Sequence, residues 1–294
     1  MENATGGIME NSRQTMAEES AGEESLYPEE SRWFCVRHDI VRGVVLLVHG
    51  LNQRPSSWME MIHYLNSQGL NVYRLALKGH RGFGIGDMET VNARLWEEDF
   101  RRGVEELQRA YPNLPRYLVG FSLGGLLALT VQLKDEKQFF SGQLLFAPAL
   151  AVRHYTRMIL PVCRFIPLLP SRSPGSYVAN REGTTAAAYR ALFQLEADFY
   201  RCRNMHLLNI PTKVFMRADD ELISYRRTLK LMKIKNLDNW QMIHLTDDKS
   251  LYGRWMSFRH LIVDRQSAGE MIWSRIMGEL DSFFSTANCR DMRN

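Results

Sequence analysis

At 294 residues, 45% of them hydrophobic, the chain can bury one large α/β core with additions, or two small ones, and nothing in it suggests an even division. Its net charge of +4 hides an asymmetry: residues 1–30 hold eight acidic side chains against the single basic Arg13, which leaves +11 on residues 31–294. That basic balance comes with no nucleic-acid motif, the four cysteines (Cys35, Cys163, Cys202, Cys289) lack metal or disulfide spacing, and no apolar run is long enough to span a bilayer.

Residues 1–30 have little that could be buried and read as a disordered acidic tail, without the basic start and apolar core of a secretory leader. The folded part is expected over 31–294, in a soluble, cytoplasmic protein with reduced thiols. Residues 31–38 have strand character. Residues 44–48 (VVLLV) form a nearly continuous β-branched run, as a parallel strand buried on both faces should, and end in His49-Gly50-Leu51-Asn52. A helix is predicted over 58–68, a strand over 72–77, the turn Lys78-Gly79-His80-Arg81-Gly82, and a helix over 96–111. A strand over 117–121 and a helix from about Leu123 follow, then a strand over 143–146. Residues 149–210 break this rhythm, with several prolines and aromatics, no clear strand and one helix over 185–200; they read as an inserted cap. Strand 213–216, helix 225–234, strand 240–245, a loop to His260 and a closing helix over 268–284 complete the chain. Strands alternating with helices imply a mainly parallel sheet covered on both faces.

The chemistry starts at 120–124, Gly-Phe-Ser-Leu-Gly, between an apolar strand and an apolar helix. In the G-x-S-x-G pattern a sharp turn lifts the serine hydroxyl off the sheet, and its neighbours must lack side chains to avoid clashes. Ser122 is therefore the expected nucleophile, at the positive end of a helix suited to stabilising an oxyanion. A serine needs a base and a carboxylate to orient that base, and in folds where the G-x-S-x-G turn joins strand to helix the two follow in the order Asp/Glu, His. Later strand ends offer Asp219 and Asp220, then His260. His49 and His80 are expected to hold loops, and His244 to lie in a strand. Asp219-Asp220 and Asp247-Asp248 have no partners at metal-ligand spacing, so no metal is expected, and acyl transfer by a serine, a histidine and a carboxylate needs no cofactor.

With HGLN at 49–52, LALKGHRG at 75–82, GFSLGG at 120–125, ADDELIS at 218–224 and RHLIVD at 259–264, the chain resembles the α/β-hydrolase superfamily. Within it, these stretches are similar to the bacterial carboxylesterase and monoacylglycerol lipase group, over roughly residues 43–285 and thinly across the cap. The resemblance implies Ser122 as nucleophile, His260 as general base and Asp220 as acid, matching Asp220-Glu221-Leu222-Ile223, with Asp219 second. A glycine usual a few residues before the acid is replaced here by Met216-Arg217-Ala218. The resemblance also implies oxyanion donors at the backbone N–H groups of Leu51 and Leu123, and a structural role for the Trp96-x-x-Asp99 pattern.

The expected reaction is hydrolysis of a small-molecule ester or monoacylglycerol through an acyl-enzyme. Three other readings share these residues: an aminopeptidase-like amide hydrolase, an acyltransferase, and a non-enzymatic small-molecule receptor. Eight arginines against three acids between 149 and 210 argue against an amine-binding cap. In residues 157–170 apolar side chains occupy nearly every position, so Ile159, Phe165 and Leu168 are expected to line an acyl tunnel. Two other readings of the same apolar surface stand beside it: contact with an anionic lipid surface, with Arg153, Arg157, Arg164 and Arg172 near the headgroups, and plain packing of the stretch onto the sheet.

Overall fold

The residues at 44–48 explain the middle of the molecule. Val44, Leu46 and Val48 enter one apolar layer and Val45 and Leu47 another, so alternating side chains feed opposite faces and the run has no polar member. The computed structural model describes residues 29–37, 40–157, 161, 165–171, 173–246 and 258–291.

Seven strands form one sheet: β1 (Arg32–Phe34), β2 (Gly43–Val48), β3 (Leu70–Leu75), β4 (Arg116–Phe121), β5 (Gly142–Phe146), β8 (Thr212–Arg217) and β9 (Trp240–Leu245), in the order β1-β3-β2-β4-β5-β8-β9. Only β1 runs antiparallel to its neighbour. One face carries helices Ala93–Ala110 and Leu123–Lys134, with Trp96 and Phe100 wholly buried among them; the other carries helices Met59–Ser67 and Glu270–Asp291, around Trp58 and Trp273. Two fully buried layers, at about 25 cal/mol per Å² of apolar surface removed from water, make the sheet a rigid base. This is the expected α/β-hydrolase architecture.

Several predicted elements shift. The strand expected at 72–77 is Leu70–Leu75, and the strand expected over 31–38 is three residues long. A short helix, Ile85–Glu89, was not expected. The closing helix is broken at Gly269, with φ 86°, into Arg265–Ala268 and Glu270–Asp291. Between β5 and β8 lie the short helix His154–Arg157, the two-residue strands β6 (Leu168–Leu169) and β7 (Thr184–Thr185), paired antiparallel, and the helix Ala186–Arg201. Thr185 caps that last helix by accepting from the Ala188 N–H at 3.2 Å. The tail expected over 1–30 lies outside the described residues up to 28. Glu29 and Glu30, however, are docked: the Glu29 carboxylate accepts from the Ser56 N–H at 2.9 Å, and the Glu30 carbonyl accepts from Arg74 at 3.2 Å.

Candidate active site

The strand β4 ends at Phe121, and Ser122 follows at φ 48°, ψ −109°, a conformation strained for any residue with a Cβ. The surroundings over-determine it. The Ser122 N–H donates to the Phe146 carbonyl at 2.9 Å, and its carbonyl accepts from Leu126 at 3.1 Å and Ala149 at 3.0 Å. The flanking glycines are required by space: a Cβ on Gly124 would lie 2.2 Å from the Val48 carbonyl oxygen, and one on Gly120 would lie 2.9 Å from the Gly125 Cα. The strand-turn-helix read from the sequence thus brings two backbones together at distances only glycine permits.

Ser122, Asp220 and His260 meet. Ser122 Oγ lies 2.9 Å from His260 Nε2, and His260 Nδ1 lies 2.8 Å from Asp220 Oδ2. Asp220, 1% exposed, takes the Leu222 and Ile223 N–H groups on its other oxygen, both at 2.8 Å. These two bonds orient the carboxylate without the glycine missing from 216–218. Asp219 is excluded from this arrangement; its carboxylate faces outward and pairs with Arg217 at 3.0 Å and with Arg259. Burial lowers the pKa of His260, but the charge and hydrogen bond of Asp220, helped by the charge of Glu221, outweigh it and leave the imidazole above its ordinary value. The ring also packs on Phe121, centroids 5.0 Å apart.

The backbone N–H groups of Leu51 and Leu123 have no hydrogen-bond partner among the described residues, and Leu51 borders the cavity that holds Ser122. His49 and His80 hold the adjoining loops, as the sequence suggested. His49 Nε2 accepts from the Leu77 N–H at 3.1 Å, and His80 Nε2 accepts from the Asn52 N–H at 2.8 Å. Both are buried, and burial pushes His80 down to about 4 and His49 well below its ordinary value. Trp96 and Asp99 support the same loop, Trp96 donating to the Lys78 carbonyl at 2.9 Å and Asp99 accepting from the Lys78 N–H at 2.7 Å. His244, in β9, packs against Tyr225.

Above Ser122 is a cavity of about 500 Å³. Its floor includes Leu51, Phe121, Ala149, His260 and Leu261, and its roof Tyr155, Leu169, Tyr177, Tyr189 and Leu192. Among the described residues, no Asp, Glu, Lys or Arg lines it. Thr156 also lines it, and its buried hydroxyl has no hydrogen-bond partner among the described residues. Of the residues expected to line a tunnel, Ile159 lies outside the described residues. Phe165 is 81% exposed and stands away from the cavity wall; Leu168 is also absent from that wall, and its strand neighbour Leu169 takes the place. Successive side chains on a strand point to opposite faces, so a one-residue error reverses the assignment. Arg153, expected at headgroups, instead donates through Nε to the Asp220 carbonyl at 2.8 Å. Arg164 and Arg172, with Asp247 and Asp248, lie outside the described residues. Among the described residues, no three His, Cys, Asp or Glu side chains are grouped to hold a metal ion.

The parallel sheet, the serine at its sharp turn and the helices on both faces define an α/β-hydrolase similar to monoacylglycerol lipases and esterases. Residues 39–194, over half of the chain, match the family model described as serine aminopeptidase, S33, and the chain belongs to that family. It is 26% identical over 155 residues to a monoacylglycerol lipase of Mycolicibacterium smegmatis, covering 51% of this chain and 55% of the relative. It is 25% identical over 181 residues to the monoglyceride lipase of Homo sapiens, covering 59% of each. The chain therefore spans little more than half the length of these relatives. A soluble variant of monoglyceride lipase from Saccharomyces cerevisiae, solved with a substrate analog, superposes with a TM-score of 0.65 at 15% identity, over 86% of this chain and 90% of that one. At that identity the likeness is one of fold. No helix among the described residues is long and apolar enough to cross a membrane.

Proposed function

We propose that this chain is a serine hydrolase that cleaves carboxylic esters of the carboxylesterase or monoacylglycerol lipase type. The observation that carries this reading is the hydrogen-bonded series from Ser122 Oγ to His260 to Asp220, at 2.9 and 2.8 Å, opening into a cavity with no charged side chain among its described lining residues. His260 Nε2 takes the Ser122 proton as Oγ bonds to the ester carbonyl carbon, and the oxyanion rests on the Leu51 and Leu123 N–H groups. The C–O bond to the alcohol then breaks, and the imidazolium returns its proton to the departing oxygen. Water, deprotonated by His260, attacks the acyl-enzyme by the same path and releases the acid and Ser122. Asp220 fixes the tautomer of His260 and offsets its positive charge; no cofactor enters.

The family description names an aminopeptidase, and peptide substrates would present a cationic amine. The described cavity lining, of apolar side chains with Gln, Ser, Thr and Tyr and no carboxylate among the described residues, favours a neutral ester instead. The named lipase relatives support a monoacylglycerol as one substrate. The exposed Phe165 and Ile166, 81% and 46%, support contact of this region with a lipid surface. A cytoplasmic location is part of the proposal.

The test is a series of p-nitrophenyl esters of increasing acyl length beside a monoacylglycerol and an aminoacyl amide, with a fluorophosphonate to label the nucleophile. Labelling should vanish in Ser122→Ala, and kcat for ester cleavage should fall by about 10³ to 10⁶. Labelling that persists on another serine, or a preference for the amide, would refute the proposal.

A further inference from the structure

The residue after the proposed oxyanion donor Leu51 has all its polar groups engaged. Asn52 is buried at φ 49°, a left-handed conformation uncommon for residues with a Cβ. Its N–H donates to His80 Nε2 at 2.8 Å, and its carbonyl accepts from the Ala179 N–H at 3.0 Å. Its side-chain Oδ1 accepts from the Asn180 N–H at 2.9 Å, while Nδ2 donates to the Asn180 carbonyl at 3.2 Å and the Gly183 carbonyl at 3.1 Å. Apart from His80, these partners all come from the segment inserted between β5 and β8. Asn180 in turn donates its own Nδ2 to the Gly79 carbonyl at 2.9 Å, beside His80.

The main chain extends the same contact. Gln53 and Val178 form an isolated antiparallel bridge, and the Arg54 N–H donates to the Tyr177 carbonyl at 2.8 Å. Residues 52–54 and 177–179 thus lie together as two short strands, clasped at one end by an asparagine side chain. On the other side of Leu51, the Gly50 N–H donates to Gln53 Oε1 at 2.8 Å, and the Gly50 carbonyl accepts from the Gln53 N–H at 3.2 Å. The peptide that carries the Leu51 N–H is therefore held between a turn made by its own loop and a clasp made by the cap. A donor stabilises developing charge only when it is aimed before the reaction, because reorientation during the step would consume the gain.

We infer that Asn52 is a positioning residue for the oxyanion hole, and that segment 177–183 is part of the construction of that hole as well as the roof of the cavity. Seating of this segment and competence for catalysis are then one event. The inference rests on the proposed roles of Ser122 and Leu51. Its cause is local: the asparagine amide supplies one acceptor and two donors in the directions that the 180–183 backbone presents, and only asparagine among the small residues tolerant of positive φ does so.

The experiment uses the full chain with Asn52→Gly, which accepts φ 49° without strain and keeps the main-chain bonds, and Asn52→Asp, which keeps Oδ1 but loses both Nδ2 donors. In both variants kcat for p-nitrophenyl butyrate should fall about tenfold or more while KM stays within about twofold, the pattern of an interaction made only in the transition state. Affinity for an alkyl trifluoromethyl ketone, which forms a hemiketal oxyanion on the serine, should fall by the same factor as kcat/KM. Unchanged kcat in folded variants, a rise in KM with kcat retained, or a kcat loss without the matching loss of ketone affinity overturns the inference. Failure of both variants to fold also overturns it, since Asn52 would then serve the fold and not the hole. A wild-type chain that neither cleaves esters nor labels at Ser122 refutes the underlying function instead.

Discussion

Glu221 holds His260 by its main chain. Its Oε1 accepts from the His260 N–H at 3.4 Å, and its Oε2 accepts from the Arg259 N–H at 3.1 Å. Three successive carboxylates thus grip two successive residues: Asp219 the Arg259 guanidinium, Asp220 the His260 ring, Glu221 the backbone of both. Burial raises the pKa of Glu221 and the neighbouring Asp220 adds to the rise, while its own charge helps to raise that of His260.

A base must be neutral to accept a proton, so kcat/KM should climb with pH through an inflection above the ordinary imidazole value of about 6.5. Glu221→Gln keeps an acceptor oxygen but removes the charge, and the inflection should move to lower pH with kcat reduced only a few-fold. Glu221→Ala should also lower kcat, by about tenfold, as the backbone of His260 loses its anchor. An inflection unchanged in both variants would show that Glu221 acts on the loop alone.

Asp220→Asn should lower kcat by about 10³ to 10⁴ while leaving the melting temperature near that of the parent, because the amide occupies the same space but spoils the tautomer of His260. Asp219→Asn should stay within about threefold, since its carboxylate faces solvent and two arginines. Equal losses in the two variants would contradict the geometry.

The cavity wall predicts a separation of effects. Leu192→Ser should raise KM for an octanoate ester far more than for an acetate ester, each buried methylene contributing about 0.8 kcal/mol. Phe165→Ser should change neither KM but weaken binding to anionic vesicles. Thr156→Val removes an unpartnered buried hydroxyl, so the protein should be at least as stable and should lose activity on a monoacylglycerol relative to a plain alkyl ester. Parallel changes for both substrates would remove Thr156 from substrate recognition.

Acid should inactivate the protein through His80. Burial holds its pKa near 4 in the folded chain, against about 6.5 when unfolded. The folded value is the lower one, so this contribution to stability is complete above about pH 6.5 and is lost as pH falls toward 4. It amounts to about 3 kcal/mol across that window. Protonation also removes the acceptor for the Asn52 N–H. Melting temperature followed between pH 7 and 4 should fall less steeply in His80→Gln than in the parent; equal slopes would count against the buried neutral imidazole.

The sequence revealed most where a backbone constraint leaves a compositional trace. Strand β9 and the helix Tyr225–Ile234 stand at the predicted bounds, and Gly120 and Gly124 mark a turn that no other residue fits. Order along the chain then brought Asp220 and His260 to the strand ends beside Ser122. The roof was less legible because its polarity has no period: which of Leu168 and Leu169 faces the cavity depends on a two-residue strand pairing that hydropathy does not encode. Glu221 escaped notice for a different reason. It occupies the variable position of the acid motif, and its partners are backbone N–H groups, which are the same for every residue type.

Ser122 and Asp220 of the proposed site sit 138 and 40 positions from His260; they follow β4 and β8, and His260 follows β9. Between β4 and β8 lies only β5, which pairs with both. During folding, β4 and β5 can pair early because they are close along the chain, but β8 joins only after the long intervening segment has been gathered in, and such distant contacts form slowly. A refolding chain should therefore regain its helices well before Ser122 becomes reactive toward a fluorophosphonate, and the rate of labelling would time the docking of β8 together with β9, the step at which the sheet becomes whole.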